Sequence, residues 1–319
     1  MKRISLLACL SLCPSVLAAG TGCEVTDCTT EEGESAVCSE SLQRYTLDDG
    51  EIEPDALPYS PGMHVSVDGV YGAIQVEEGT TGEVSVLIEP FTYRGHSKDD
   101  EAREELESFF AWSFVENGNV VQVTTGRLDG STNGLGAEIT LFLPSDFDGE
   151  LAVRNRSNGP INPGDIDVNF VGEATLLEIQ AESLGDCFVD GAPSVTFTQI
   201  FCDGEITLRD GSDNVRIAST GLGGGAQVRL SQVGSGAQGG FIETEDGDIE
   251  FALPSGPFSI QAEATEDGTV SEENVPGTCE LVESSSSQKD VDCGQGVPSY
   301  DLAAGIDGVG PSNIVFTYL

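Results

Sequence analysis

Residues 136–161 read GAEITLFLPSDFDGELAVRNRSNGPI, and residues 247–270 read GDIEFALPSGPFSIQAEATEDGTV. Each segment runs through a stretch of alternating apolar residues, the tripeptide Leu-Pro-Ser, a short turn, a second alternating stretch and a corner that contains glycine. Alternation with a period of two is typical of a strand with one buried face. Repetition of one strand–turn–strand unit predicts stacked coils, because each coil can bury its apolar face only against its neighbours.

The same alternation continues on both sides of this repeat. Apolar pairs at positions i and i+2 recur from Val65/Val67 to Phe258/Ile260, and Asp-Gly or Asn-Gly dipeptides lie between them. Such dipeptides tolerate the positive φ of sharp corners. Strand starts about every ten residues predict an all-β domain. The short strands and frequent glycines favour a β-solenoid, a parallel β-helix-like stack; an antiparallel β-sandwich shares this spacing and is the alternative.

One segment predicts a helix instead. Ser97 is a candidate cap, and Asp99 and Asp100 follow in the first turn. An apolar stripe with helical spacing lies at Ala102, Leu106, Phe109 and Phe110. We expect a helix of about fifteen residues that ends near Trp112 and caps an exposed part of the sheet.

The N-terminus resembles an export signal. Residues 1–22 contain Lys2 and Arg3, an apolar run over 4–17 and small residues before Cys23. The tract Ala-Ala-Gly-Thr-Gly before Cys23 resembles the cleavage site of bacterial lipoproteins, whose first mature cysteine carries diacylglycerol. We therefore expect lipidation of Cys23 and a place in the cell envelope, either anchored in the outer membrane, which Glu24 favours, or extracellular. The alternative is cleavage after Ala18, with Cys23 in a disulfide.

The other mature cysteines group into three local pairs, each of which closes a short loop. The predicted disulfides are Cys28–Cys38, Cys187–Cys202 and Cys279–Cys293. The first lies in residues 23–62, an acidic stretch without periodicity that we interpret as a disordered tether. Residues 63–275 form the predicted solenoid. Residues 276–319 hold the last disulfide loop and a terminal strand that we expect to cover the last coil.

A family resemblance supports this division. The order Val-Ser-Val-Asp-Gly-Val-Tyr-Gly-Ala-Ile-Gln-Val at 65–76, a charged helix, Gly-Asn-Val-Val-Gln-Val at 118–123 and the Leu-Pro-Ser strands resembles the bacterial putative-adhesin family. The resemblance covers about residues 63–275 and implies an exported, β-helix-like domain. That family has no established catalytic residues, so the resemblance implies none here.

Composition limits the chemistry. The formal net charge of −42 excludes a nucleic-acid binder, which needs a dominant basic patch. No nucleophile elbow and no phosphate-binding loop occur, and His64 and His96 lack metal-ligand spacing. We expect no catalytic residues, no metal and no cofactor. Acid pairs such as Asp165/Asp167 are expected to form a solvated face, because such pairs arise by chance among 55 acids.

Three arginines offer a candidate binding feature. Arg209, Arg216 and Arg229 lie beside the apolar residues of successive predicted strands, where stacked rungs could align them as a basic ladder for an anion or an acidic sugar. Neutralisation by neighbouring carboxylates is the simpler alternative. We expect a non-enzymatic, adhesin-like binding or structural module for a surface polysaccharide or protein, with membrane contact only through a lipid anchor. A carbohydrate-active β-helix enzyme and an envelope sensor domain are the alternatives.

Overall fold

A computed structural model describes residues 28–29, 37–38 and 42–319, apart from breaks at 48–49, 96–97, 129–133, 157–163, 183–184, 193–194, 212–213, 222–223, 232–237, 266, 296 and 307–310. Cys23 and the predicted signal therefore lie outside the described residues.

The chain folds almost entirely into strands. The first are β1 (Cys28–Thr29), β2 (Val37–Cys38), β3 (Leu42–Thr46), β4 (Leu57–Pro58), β5 (His64–Val70), β6 (Ile74–Gly79) and β7 (Glu83–Gly95), followed by the helix α1 (Asp99–Phe109). Next come β8 (Phe110–Asn117), β9 (Val120–Arg127), β10 (Gly136–Pro144), β11 (Glu150–Arg156), β12 (Ile166–Val168), β13 (Leu176–Ala181), β14 (Cys187–Val189), β15 (Phe197–Cys202) and β16 (Ile206–Gly211). The last are β17 (Asn214–Ser219), β18 (Ala226–Leu230), β19 (Gly239–Thr244), β20 (Ile249–Leu253), β21 (Ser259–Ala264), β22 (Val270–Glu273), β23 (Glu280–Ser285), β24 (Gln288–Asp292), β25 (Ser299–Ala304) and β26 (Ile314–Tyr318).

Most of these strands form two twelve-stranded sheets. Sheet I has the order β22-β26-β20-β18-β16-β14-β12-β6-β10-β7-β3, with β4 also on β7. Sheet II has the order β23-β24-β21-β25-β19-β17-β15-β13-β11-β5-β9-β8. Two consecutive strands, one in each sheet, make one rung, and neighbouring rungs pair in parallel. The predicted all-β solenoid is confirmed; the antiparallel sandwich is wrong, because antiparallel pairs occur only towards the ends of each sheet.

Alternate residues of each strand fill the space between the sheets. In sheet I one inward column is in register from rung to rung, and its members are at most 1 % exposed: Ile166, Cys187, Ile206, Ala226, Ile249 and Ile314. Burial of a large aliphatic side chain contributes about 1.5–3 kcal/mol. The intervening residues therefore point outward, and they stack in equally regular columns on the outer faces.

Glycine forms one corner between the sheets. Each central rung has a glycine at the second residue before its sheet I strand, at Gly164, Gly185, Gly204, Gly224 and Gly247. A Cβ on Gly185 would lie 2.7 Å from the carbonyl oxygen of Gly164, and Gly204 meets Gly185 at the same distance. Because no side chain fits between the stacked corners, this column sets the registration of the central rungs.

Two rungs are inserted out of chain order. The rung β5–β6 lies between β9–β10 and β11–β12, and the rung β25–β26 lies between β19–β20 and β21–β22. The connections β10 to β11 and β20 to β21 must therefore skip one level, a step of about 10 Å instead of about 5 Å. Both connections are the Leu-Pro-Ser repeat of the sequence.

The serine of each repeat contacts the chain that leaves the inserted rung. Ser145 Oγ lies 2.6 Å from Thr81 Oγ1, just after β6, and Ser255 Oγ donates to the carbonyl oxygen of Leu319, just after β26.

The prediction that the terminal strand covers the last coil is wrong. Strand β26 lies inside sheet I, because its alternation directs Phe316 and its inward neighbours into the core.

The tether and helix predictions also need correction. Strand β3 pairs with β7, and Ile52 and Leu57 pack against the core, so residues 42–47 and 50–58 belong to the folded body rather than to a tether. The helix α1 has eleven residues and ends at Phe109, because Phe110 turns extended and starts the hairpin β8–β9. Ser97 lies outside the described residues. The helix packs near β3, β7 and β8, where Glu105 forms a buried ion pair with Arg94.

The glycine column makes a direct prediction. Gly185→Ala should destabilise the protein by about 2–3 kcal/mol, because its Cβ would overlap backbone of the neighbouring rung. Gly126→Ala is the matched control: nothing lies within 4 Å of its Cβ position, so it should be neutral or stabilising by up to about 1 kcal/mol. Urea unfolding measures both. Equal stability of the two variants would contradict the close stacking of the corners.

Candidate ligand-binding groove

A groove of about 470 Å³ crosses the outer face of sheet I. Its floor and walls come from β16, β18, β20 and β26, with Asp190 beside the end of β14. It therefore runs along the solenoid axis over four strand spacings, roughly 19 Å. Two outward columns line it. One contains Thr207, Gln227, Glu250 and Val315, and the other contains Asp190, Arg209, Arg229, Ala252 and Thr317.

The corner glycines determine these columns. The third residue after each corner glycine falls in the first column, and the fifth residue falls in the second. The third position after a corner glycine is occupied by Phe188, Thr207, Gln227 and Glu250. Counting from these glycines in the sequence would have identified them, whereas the charge pattern of the sequence indicated only arginines.

A backbone irregularity lies at the centre of the groove. The pairing of β16 with β18 shifts register between Leu208 and Gly211, and Asp210 adopts a φ of 51°. An aspartate tolerates this left-handed conformation better than most residues do. β-Bulges of this kind re-aim a side chain, and here the affected residue next to Asp210 is Arg209.

Arg209 and Arg229 stand side by side on β16 and β18, and both are exposed. The guanidinium of Arg209 lies 4.9 Å from the centre of the Phe188 ring. No ion pair among the described residues includes Arg209 or Arg229. Asp190, Asp210 and Glu250 line the same groove, and neutralisation by neighbouring carboxylates remains the simpler alternative for these arginines.

Most other basic side chains are engaged. Ion pairs in the described part of the chain join Arg44 to Glu138, Arg94 to Glu105, Lys98 to Glu101, Arg154 to Glu182, Arg156 to Asp68 and Lys289 to Glu272. Arg127 is partly buried and donates to the carbonyl oxygen of Leu135 at 2.6 Å. The groove thus gathers two of the few cations that remain available to a ligand.

The three predicted arginines do not form one ladder. Arg216 lies on β17 in sheet II, because successive strands alternate between the sheets. Its guanidinium lies 5.4 Å from the centre of the Phe197 ring, on the face opposite the groove. Only Arg209 and Arg229 share a surface.

The predicted disulfides fall at three places. Cys187 in sheet I is joined to Cys202 in sheet II, with 6.3 Å between their Cα atoms, and both are buried. Cys279 is joined to Cys293 across the β23–β24 hairpin. The backbone of Cys28 lies opposite that of Cys38 in the β1–β2 pair, and their disulfide stays a prediction.

Acidic side chains along the glycine corner support the backbone. Asp165 Oδ1 accepts the amide of Asp186 at 3.0 Å, and Asp186 Oδ1 accepts the amide of Glu205 at 2.7 Å. Burial raises the pKa of Asp165 to about 6, and the charges of Asp186 and Asp167 add to this effect. Asp165 and its predicted partner Asp167 therefore have different roles, one in the corner and one on the sheet face.

Other chemistry is sparse in the described chain. No group of three or more His, Cys, Asp or Glu side chains among the described residues could hold a metal ion. His64 Nδ1 lies 3.3 Å from Glu150 Oε2 on the neighbouring strand. No helix in the part of the chain that the structure covers is long and apolar enough to cross a membrane.

Comparison with known proteins yields structural neighbours only. No known protein family and no curated protein matches the sequence. The chain is similar to a putative cell adhesion protein from Clostridium sporogenes, with 10% identity, a TM-score of 0.30 and coverage of 88% of this chain and 100% of that one. It is also similar to a putative adhesin from Bacteroides fragilis, with 11% identity, a TM-score of 0.35 and coverage of 88% and 98%.

The Asp165 carboxylate makes stability depend on pH. Its folded-state pKa is raised above the unfolded value, so its stabilising contribution is present at low pH and lost as the pH rises through about 6. Asp165→Asn keeps the acceptor for the Asp186 amide but removes the charge. Asp165→Asn should therefore increase the free energy of unfolding relative to wild type. This increase should be about 1 kcal/mol larger at about pH 7.5 than at about pH 5.

Asp248→Asn is the matched control for this measurement. Asp248 Oδ1 accepts the amide of Asn313 at 2.6 Å in the same corner, so Asp248→Asn makes the same chemical change beside a neutral neighbour. Urea unfolding of both variants at the two pH values measures the effects. A gain for Asp165→Asn that is the same at both pH values would contradict the electrostatic origin of the Asp165 effect.

Proposed function

We propose that this protein is an exported, non-enzymatic binding module, adhesin-like in role, whose sheet I groove holds an acidic polysaccharide. The observation that carries this proposal is the pair of exposed guanidinium groups of Arg209 and Arg229, which lie on adjacent strands outside the ion pairs of the described structure. Two guanidinium groups on adjacent strands, whose backbones lie about 4.8 Å apart, suit carboxylates along a sugar chain, because a guanidinium binds a carboxylate through two parallel hydrogen bonds.

The rest of the groove suits the neutral parts of such a chain. Thr207, Thr317 and Glu250 present oxygen atoms that can bond sugar hydroxyl groups. The Gln227 side chain donates to Glu205 Oε1 at 3.0 Å, and this contact orients it along the groove wall. Val315 and Phe188 add apolar surface for the C–H faces of sugar rings. A shallow trough of this length, lined by both apolar and polar side chains, fits a linear glycan better than a compact cofactor.

The strongly negative chain limits how an acidic ligand can bind. A net charge of −42 repels a polyanion at long range, whereas the arginines attract it only on contact. Salt screens charges beyond about 10 Å at 0.1 M ionic strength and affects contacts within the groove less. Binding therefore depends on local recognition, and moderate salt should favour it.

The scaffold supports a stable, exported site. The strands hold the lining residues in register, and the Cys187–Cys202 bond ties the two sheets together one rung from Arg209. Disulfides persist in oxidising compartments, which supports an extracellular or surface location. We propose further that Cys23 carries a lipid and that the segment after it spaces the body from the membrane.

Glycan binding by the mature chain tests the proposal. Calorimetry with an oligogalacturonate should show binding, and Arg209→Ala with Arg229→Ala should weaken it at least about 100-fold, because each of the two lost charged hydrogen bonds costs about 1.5–3 kcal/mol. A neutral cello-oligosaccharide of the same length should bind more weakly and be insensitive to this change.

Arg154→Ala is the matched control, because Arg154 is exposed on the opposite sheet and already paired with Glu182. It should leave oligogalacturonate binding unchanged. Undiminished binding in a folded double variant would contradict the groove. Release of shorter sugars during the titration, measured as new reducing ends, would contradict a non-enzymatic role.

A further inference from the structure

The outer face of sheet II carries an aromatic patch, which we define as Phe197, Phe201, Phe241, Gln199 and Arg216. Three residues of the patch lie in register on neighbouring strands: Gln199 on β15, Arg216 on β17 and Phe241 on β19. Phe197 and Phe201 flank Gln199 on the same face of β15, because their neighbours Thr198 and Ile200 are buried. Three phenylalanine side chains therefore share one outward-facing surface with the Arg216 guanidinium group.

The patch is not explained by packing. Outward positions of a sheet with one solvated face are normally polar, yet all three phenylalanines are only partly buried there. The Arg216 guanidinium lies 5.4 Å from the Phe197 ring centre and is exposed. No ion pair between residues that the structure covers includes Arg216, so its charge is available to a ligand.

The dimensions of the patch select a small ligand. Phe197 and Phe201 are four residues apart, about 13 Å, and β15 and β19 are two spacings apart, about 10 Å. Such an area is far below the roughly 800 Å² that each partner of a stable protein complex buries. It matches one or two sugar rings, whose C–H faces pack on aromatic rings.

We propose that this patch is a second binding site, which takes one sugar residue that bears a carboxylate. The ring of the sugar packs on Phe241 and Phe201, and its carboxylate meets Arg216. Gln199 and the neighbouring Glu178 and Glu243, which are in register beside the patch, serve the hydroxyl groups. The charge of Arg216 makes an acidic sugar the complementary occupant rather than a neutral one.

This inference goes beyond the groove on sheet I. The two sites lie on opposite faces of the solenoid, and the sheets between them are about 10 Å apart. One molecule can therefore hold two glycan strands at once and join them, which a single groove cannot do.

Nuclear magnetic resonance of the mature chain, with ¹³C-labelled phenylalanine rings, tests the second site directly. Titration with methyl glucuronide should shift the ring signals of Phe197, Phe201 and Phe241. Arg216→Ala should weaken this response at least tenfold, and Phe241→Leu, which preserves most of the apolar volume, should also weaken it. Methyl glucoside, the neutral counterpart, should cause a response at least tenfold weaker.

Two control variants separate this proposal from the groove. Arg156→Ala removes a cation that is paired with Asp68 on the same sheet and should leave the three ring responses intact. Arg209→Ala with Arg229→Ala should abolish any response of Phe188 and leave the patch unaffected. Unmoved signals of Phe197, Phe201 and Phe241, or equal responses to the glucuronide and the glucoside, would overturn the second site even if the groove binds its glycan.

Discussion

The close stacking of backbone at the glycine corner is the constraint on which this structure depends. A side chain at Gly185 would overlap the carbonyl oxygen of Gly164, and one at Gly204 would overlap that of Gly185, so these central rungs can approach to sheet spacing only because glycine stands at their corners. This contact aligns the central strands of sheet I at their first residues. Because side chains alternate strictly after that point, one set of positions builds the core and another builds straight outward columns. The groove is a consequence of this alignment rather than of a special loop.

The inserted rungs complete both the fold and the groove. Strand β26 is the last element of the chain, yet it lies between β20 and β22 and supplies Val315 and Thr317 to the groove. The insertion is made possible by the Leu-Pro-Ser connections, which step over one level and hold the ends of the inserted chain through Ser145 and Ser255. The same short repeat therefore has a topological role at each end of the stack.

Sequence reasoning predicted the parts of this structure that follow from local pattern. The alternation around Ile249 and the repeated Leu-Pro-Ser units predicted stacked strands, and the spacing of Cys187 and Cys202 predicted their bond. It could not predict that Arg216 faces away from Arg209. Whether two successive strands lie in the same sheet or in opposite sheets depends on how sharply the chain turns between them. Nor could it predict the insertion of β26, because the apolar residues of that strand fit a covering strand and an inserted strand equally well.

A cysteine-pairing measurement tests the inserted terminal rung, and with it the groove wall, most directly. Glu250 and Val315 are in-register neighbours on β20 and β26, so Glu250→Cys with Val315→Cys should form a disulfide across about 4.8 Å between Cα atoms. Glu250→Cys with Ser271→Cys should form none, because β26 separates those strands by about 10 Å. Non-reducing peptide mass mapping of folded protein distinguishes the two. A bond between positions 250 and 271, with none between 250 and 315, would contradict the insertion.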